Sequence, residues 1–171
     1  MNWLSPRRAF LLAAAVPAAL LAFGYFLQYV QGLQPCPLCL VQRGFFYGVI
    51  AVCVVAALHG PGRKGTIAYA TLAAIVAIGG AATATRQVWL QHLPPDKVPA
   101  CGPDLFFMLE NFPLASVVKK VLITGTGECA KVDWTFLGFS IAEWSLFWFT
   151  LLVVYMIWLA TRSTRSLPAA A

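Results

Sequence analysis

Apolar residues run almost unbroken through four stretches of the chain, about 9–30, 40–58, 66–86 and 143–160, and most polar residues fall between them. A helix needs about 20 apolar residues to cross a bilayer. The pattern therefore predicts an all-α integral membrane protein, a four-transmembrane-helix bundle forming one domain over 1–171. The first two connections, 31–39 and 59–65, are short. The third, 87–143, is the one sizeable polar segment. Residues 87–92 should continue the third helix beyond the bilayer, and Pro94, Pro95, Pro99 and Pro103 make the chain irregular around Cys101. Over 113–123, Leu114, Val117, Val118, Val121 and Leu122 recur at helical spacing with Lys119 and Lys120 among them. That spacing predicts a short amphipathic helix, lying on the membrane or packed on the loop's own core. Gly79 and Gly80 supply the small residues that let helices approach in lipid. Pro17 is expected to kink the first span, its lost hydrogen bond being re-satisfied within the bundle.

Composition agrees: 60% of residues are hydrophobic and 11% charged, against about 25% charged in soluble domains. A net charge of +6 could suggest a nucleic-acid binder, but its distribution argues otherwise. Arg7, Arg8, Arg63, Lys64, Arg162 and Arg165 flank apolar runs, while all six acidic residues follow the third run. This is the positive-inside pattern. It implies two cytoplasmic termini and puts loops 31–39 and 87–143 outside. Arg7-Arg8 also resembles a twin-arginine export signal, but three further spans make the pair better read as a cytoplasmic anchor. Trp134, Phe136, Phe139, Trp144, Phe147 and Trp148 form an aromatic belt at the outer end of the fourth span.

Against this frame one short stretch carries chemistry. Pro35-Cys36-Pro37-Leu38-Cys39-Leu40-Val41-Gln42-Arg43 is a Cys-x-x-Cys pair where a polar loop becomes an apolar run. Pro35 and Pro37 stiffen the loop and remove two donors. Cys39 falls near a helix N-terminus, where the positive end of the dipole favours a thiolate. Arg43 lies one turn further along the same face and favours a sulfur anion or a bound oxyanion. A zinc site would need a second ligand pair at metal spacing, and haem attachment would need a His where Leu40 stands. No metal is expected. Redox chemistry and a purely structural disulfide both remain open for the pair.

Cys101 and Cys129 stand in the long loop, and the fifth cysteine, Cys53, lies mid-span as a small buried hydrophobe. A disulfide closing the loop would remove roughly 3–4 kcal/mol of unfolded-chain entropy. Two disulfides on one side of the membrane could also exchange electrons by thiolate attack. The stretch 35–43, Arg86-Gln87 with His92, Cys101, the stretch 110–114 and Glu128-Cys129-Ala130-Lys131-Val132-Asp133-Trp134 together resemble the DsbB family of bacterial disulfide-bond formation proteins. The resemblance runs from the first span to the last.

That resemblance implies a protein-dithiol:quinone oxidoreductase of the bacterial inner membrane, with its cysteine loops periplasmic. Cys101–Cys129 would be the disulfide attacked by a reduced DsbA-like thioredoxin-fold protein, and Cys101 would form the mixed disulfide. Cys36–Cys39 would take the electrons by exchange. Cys39 would then form a thiolate or covalent adduct with a bound ubiquinone or menaquinone, and Arg43 would polarise a quinone carbonyl. His92 is a candidate hydrogen-bond donor beside the quinone, or an interfacial structural histidine. Arg86 and Gln87 are expected to orient the site, with a snorkelling arginine as the alternative for Arg86. Competing readings are a vitamin-K-epoxide-reductase-like enzyme, disfavoured by a second pair between spans three and four, and a membrane protein with two inert disulfides.

Overall fold

The computed structural model describes residues 5–99, 105–113, 116, 119 and 127–165. Long helices α1 (Pro6–Val30), α2 (Pro37–His59) and α3 (Arg63–Gln91) follow one another through tight connections. A 3-10 turn (Pro95–Lys97), the short helix α4 (Leu105–Asn111), a second 3-10 turn (Gly127–Ala130) and the strands β1 (Thr135–Phe136) and β2 (Phe139–Ser140) come next. A last long helix, α5 (Ile141–Arg165), ends the described chain. Helices α1, α2, α3 and α5 are each long and apolar enough to cross a membrane, so the expected four-helix membrane bundle is the fold observed.

The helices pack in a row that closes on itself. Helix α1 lies along α2, α2 along α3, and α3 along α5. The Tyr155 hydroxyl of α5 donates to the Ala9 carbonyl of α1 at 3.2 Å, joining first and last helices at the end opposite the cysteines. Phe10, Phe46, Val49, Cys53, Ala73, Ala77, Phe149 and Met156 fill the interior. Leu12, Leu72, Ile75, Ile78, Leu151 and Val154 face outward, as a lipid-facing surface requires. Pro17 stays inside an unbroken α1 with its ring buried.

Small residues on α3 set how closely its neighbours approach. Phe46 of α2 stacks on Phe149 of α5 with ring centroids 4.0 Å apart. A Cβ at Gly80 would collide with the Phe149 ring, and one at Gly79 with the Phe45 ring. Both glycines therefore leave room for an aromatic ring against backbone, as their sequence context suggested.

The boundaries depart from the hydropathy pattern where polar residues belong to a helix. Helix α2 begins at Pro37, not 40, because Pro at the first helical position needs no donor. Helix α5 begins at Ile141, two residues before the expected 143. Its start is a capping box: Ser140 N donates to Glu143 Oε2 at 2.7 Å, and Glu143 N donates back to Ser140 Oγ at 3.3 Å. The two-residue strands were not anticipated. Their turn sets Leu137 and Gly138 at φ of 54° and 84°, the left-handed pair a tight hairpin demands. The amphipathic helix expected over 113–123 lies largely outside the described residues.

Gly80→Ala should lower the unfolding midpoint in detergent, costing about 1–3 kcal/mol through overpacking against Phe149. Gly44→Ala is the control: nothing stands within 4 Å of its Cβ position, and its midpoint should hold or rise.

Candidate active site

Helix α1 ends at Val30, and Leu33 N folds back onto Leu27 O at 3.2 Å. Residues 31–36 then carry the chain directly into α2. This short connection holds Cys36 at the N-cap of α2, where its sulfur accepts the Cys39 backbone N–H at 3.3 Å. Cys39 sits in the first helical turn, and its Sγ lies 2.9 Å from Cys36 Sγ. The two sulfurs need little movement to bond at about 2.05 Å.

Helix α3 contributes Gln87. Its Nε2 donates to Cys36 Sγ at 3.3 Å and to Cys39 Sγ at 3.2 Å. Its Oε1 accepts from Gln42 Nε2 of α2 at 2.7 Å, and lies 3.6 Å from the Cys39 thiol. Gln42 and Gln87 are both buried. An N–H aimed at both sulfurs can stabilise negative charge on either one.

Cys129 arrives from the far side of the sequence. The 3-10 turn Gly127–Ala130 seats it, 1% exposed, in a small apolar cluster with Leu38, Leu90 and Met108, and Cys36 packs against that cluster. Hydrogen bonding to Cys129, then to Cys39, with burial behind both, pushes the Cys36 thiol well above its ordinary value. Three of the four expected loop cysteines thus meet at one point. Cys101 lies outside the described residues. Cys53 is fully buried in the bundle core.

Arg43 is held by α1. Its Nη1 donates to Gln28 Oε1 at 2.5 Å, its Nη2 donates to Gly24 O at 3.2 Å, and its guanidinium lies 4.7 Å from the Tyr25 ring centroid. Two hydrogen bonds and a stacked ring fix the fork in place. A cavity of about 1010 Å³ opens beside it. Cys36, Cys39, Gln42, Arg43 and Gln87 line one wall. Phe23 and Leu27 of α1, with Trp134, Trp144 and Trp148, line the others. The β1–β2 hairpin adds Phe136 and Ser140 to the lining. Trp144 Nε1 donates to Phe136 O at 3.1 Å, and Ser140 Oγ donates to Gln91 Oε1 at 2.8 Å, which ties the hairpin to α5 and α3.

Two expected residues stand apart. Arg86 lies over the Trp89 ring, 4.2 Å from its centroid. His92 is exposed, with Nδ1 2.9 Å from Val88 O of its own helix. Neither lines the cavity. Gln42 and Gln28 were not singled out from sequence. A glutamine one turn after Cys39, within an otherwise apolar run, was the available signal for Gln42. Among the described residues no group of three or more His, Cys, Asp or Glu is arranged to hold a metal.

Comparison with known proteins finds relatives over most of the chain. The family model "Disulfide bond formation protein DsbB" matches residues 6–159. A disulfide bond formation protein B from Hahella chejuensis is 52% identical, covering 84% of this chain and 87% of its own length. Its counterpart from Aromatoleum aromaticum is 49% identical over 92% of this chain and 94% of its own. That from Stutzerimonas stutzeri is 46% identical over 92% and 96%.

In the reduced protein Cys36 should remain a thiol into mild alkali. A raised value leaves little thiolate below it, so iodoacetamide at about pH 8.5 should label Cys36 at under roughly a tenth of the rate of an unperturbed cysteine. Peptide mapping by mass spectrometry reads this rate. Cys129→Ala, which removes the largest cause, should increase it.

Proposed function

The chain belongs to the DsbB family of disulfide bond formation proteins, and from that premise we propose that it reoxidises a DsbA-like periplasmic dithiol protein and passes the electrons to a membrane quinone. It would work in the bacterial inner membrane with both termini cytoplasmic. Arg7, Arg8, Arg63, Lys64 and Arg162 at the end of the bundle opposite the cysteines support that orientation.

The observation that carries the reading is the meeting of Cys129 with Cys36 beside the Arg43-lined cavity. A reduced partner's thiolate would attack Cys101 of the Cys101–Cys129 disulfide and expel Cys129. Cys129 must then not return to Cys101 before the partner's second thiol resolves the mixed disulfide. Its buried seat against Cys36 gives it another target. Attack of Cys129 on Cys36 of the Cys36–Cys39 disulfide forms Cys36–Cys129 and releases Cys39 as a thiolate. The α2 N-terminus and the Gln87 N–H receive that charge. The partner's second thiol attacks its own sulfur in the mixed disulfide and leaves oxidised, freeing Cys101. Cys101 then closes on Cys129 and returns Cys36 to the thiol form that its surroundings favour.

The cavity suits a quinone ring. Much of its wall is apolar and aromatic, its volume is near the upper end of small-molecule sites, and beside the cysteines it presents the donors Arg43 and Gln87, with Glu128 and Asp133 also in its lining. Cys39, Arg43 and Gln87 would hold the ring, with the Arg43 guanidinium on an oxygen where negative charge develops. Ubiquinone or menaquinone bound there supplies a two-electron, two-proton acceptor for each disulfide regenerated.

The test uses purified protein in detergent, a reduced thioredoxin-fold dithiol partner and a soluble quinone, followed by quinone absorbance. Cys39→Ser should abolish turnover; undiminished quinone loss would overturn the assignment. Arg43→Ala should raise the KM for quinone about tenfold or more, the scale of a lost charge-assisted hydrogen bond, while leaving trapping of the partner at Cys101 intact.

A further inference from the structure

The Gln87 amide can face the sulfurs by either of its polar atoms, and the two choices have opposite consequences. Nε2 toward the sulfurs offers a proton to a sulfur lone pair, whereas Oε1 there would set an acceptor against an anion. Nothing on the sulfurs themselves decides between them, because Cys39 as a thiol can also donate to Oε1, which lies 3.6 Å away. The shortest bond in the group is between the two amides, Gln42 Nε2 to Gln87 Oε1 at 2.7 Å. Both residues are only 3% exposed, so water does not compete for either partner. Gln42 is one turn along α2 from Cys39, and Gln87 reaches the pair from α3.

We infer that Gln42 is a positioning residue: by donating to Gln87 Oε1 it turns the Gln87 N–H toward Cys36 and Cys39, and so sets the polarity of the site that receives the Cys39 thiolate. The inference rests on the thiol-exchange reading above. Alkylation of Cys39 needs neither partner protein nor quinone, so the inference can be tested apart from them.

The readout is the rate at which iodoacetamide alkylates Cys39 at fixed pH, in the full chain carrying Cys36→Ser, with each site resolved by peptide mass spectrometry. Gln87→Met should slow alkylation about threefold or more, because only the thiolate reacts. Gln42→Met, which keeps volume and removes the donor, should slow it to a similar extent, and the double variant should be no slower than Gln87→Met alone. Gln42→Glu is nearly isosteric but can only accept, so it should recruit Gln87 Nε2 and turn Oε1 to the sulfurs, slowing alkylation about tenfold or more. The same Glu in the Gln87→Met background measures the effect of its charge alone, and the loss should be smaller there. Independent, multiplying losses from Gln42→Met and Gln87→Met would overturn the inference, as would an unchanged rate in either single variant. An equal effect of Gln42→Glu in both backgrounds would overturn it too. If alkylation follows this pattern while the chain with Cys36 intact fails to reduce quinone, the functional reading falls and the amide pair stands.

Discussion

A polar group at the edge of lipid has no water to fall back on, so it must find its partner inside the bundle. The cysteine-bearing end of this protein is built around that requirement. Arg43 gives one donor to a side chain and one to a carbonyl of α1. Gln87 is satisfied between the sulfurs and Gln42. Among the described residues, no buried side-chain nitrogen or oxygen lacks a hydrogen-bond partner. The same bonds that remove the cost of burial also fix the orientation of each reactive atom, so stability and chemistry share one set of contacts.

The apolar remainder of the fold supports this arrangement by keeping distances short. Gly79 and Gly80 let rings from α2 and α5 lie against α3, which brings Gln87 and the α2 N-terminus within hydrogen-bond reach. The capping box at Ser140 and Glu143 starts α5 where the hairpin ends, and Ser140 is at once anchored to Gln91 of α3. One serine therefore caps a helix and closes a cavity wall.

Much of this was legible in the sequence, for physical reasons. Crossing a bilayer needs long apolar runs, and those four runs gave the bundle directly. The Cys-x-x-Cys pair before a span, with Arg43 one turn on, marked the site because its residues are consecutive. What could not be read was contact between distant segments. Nothing in the neighbourhood of Cys129 says that it packs against Cys36 rather than only near Cys101. Gln42 looked like one polar residue in a helix until Gln87 was set opposite it from α3. The family resemblance put Arg86 and His92 beside the site, but in the fold the first lies over Trp89 and the second bonds its own helix. Strands of two residues are too short to leave a pattern, and the turn between them uses Leu137 where Asn or Gly is usual. The Ser-x-x-Glu signal at 140–143 was present and marks the true start of α5.

The anchoring of Arg43 to Gln28 has a consequence for how such a chain matures in the membrane. When only α1 and α2 have been inserted, the cysteine pair and its arginine are already together. The amide that faces the sulfurs comes with α3, and the tryptophan wall comes only with the hairpin and α5. The reactive pocket is thus completed only with the fourth of these helices in chain order. A truncated or half-assembled protein would carry the cysteines without the enclosure, and a finished site is itself a record that every span has been threaded.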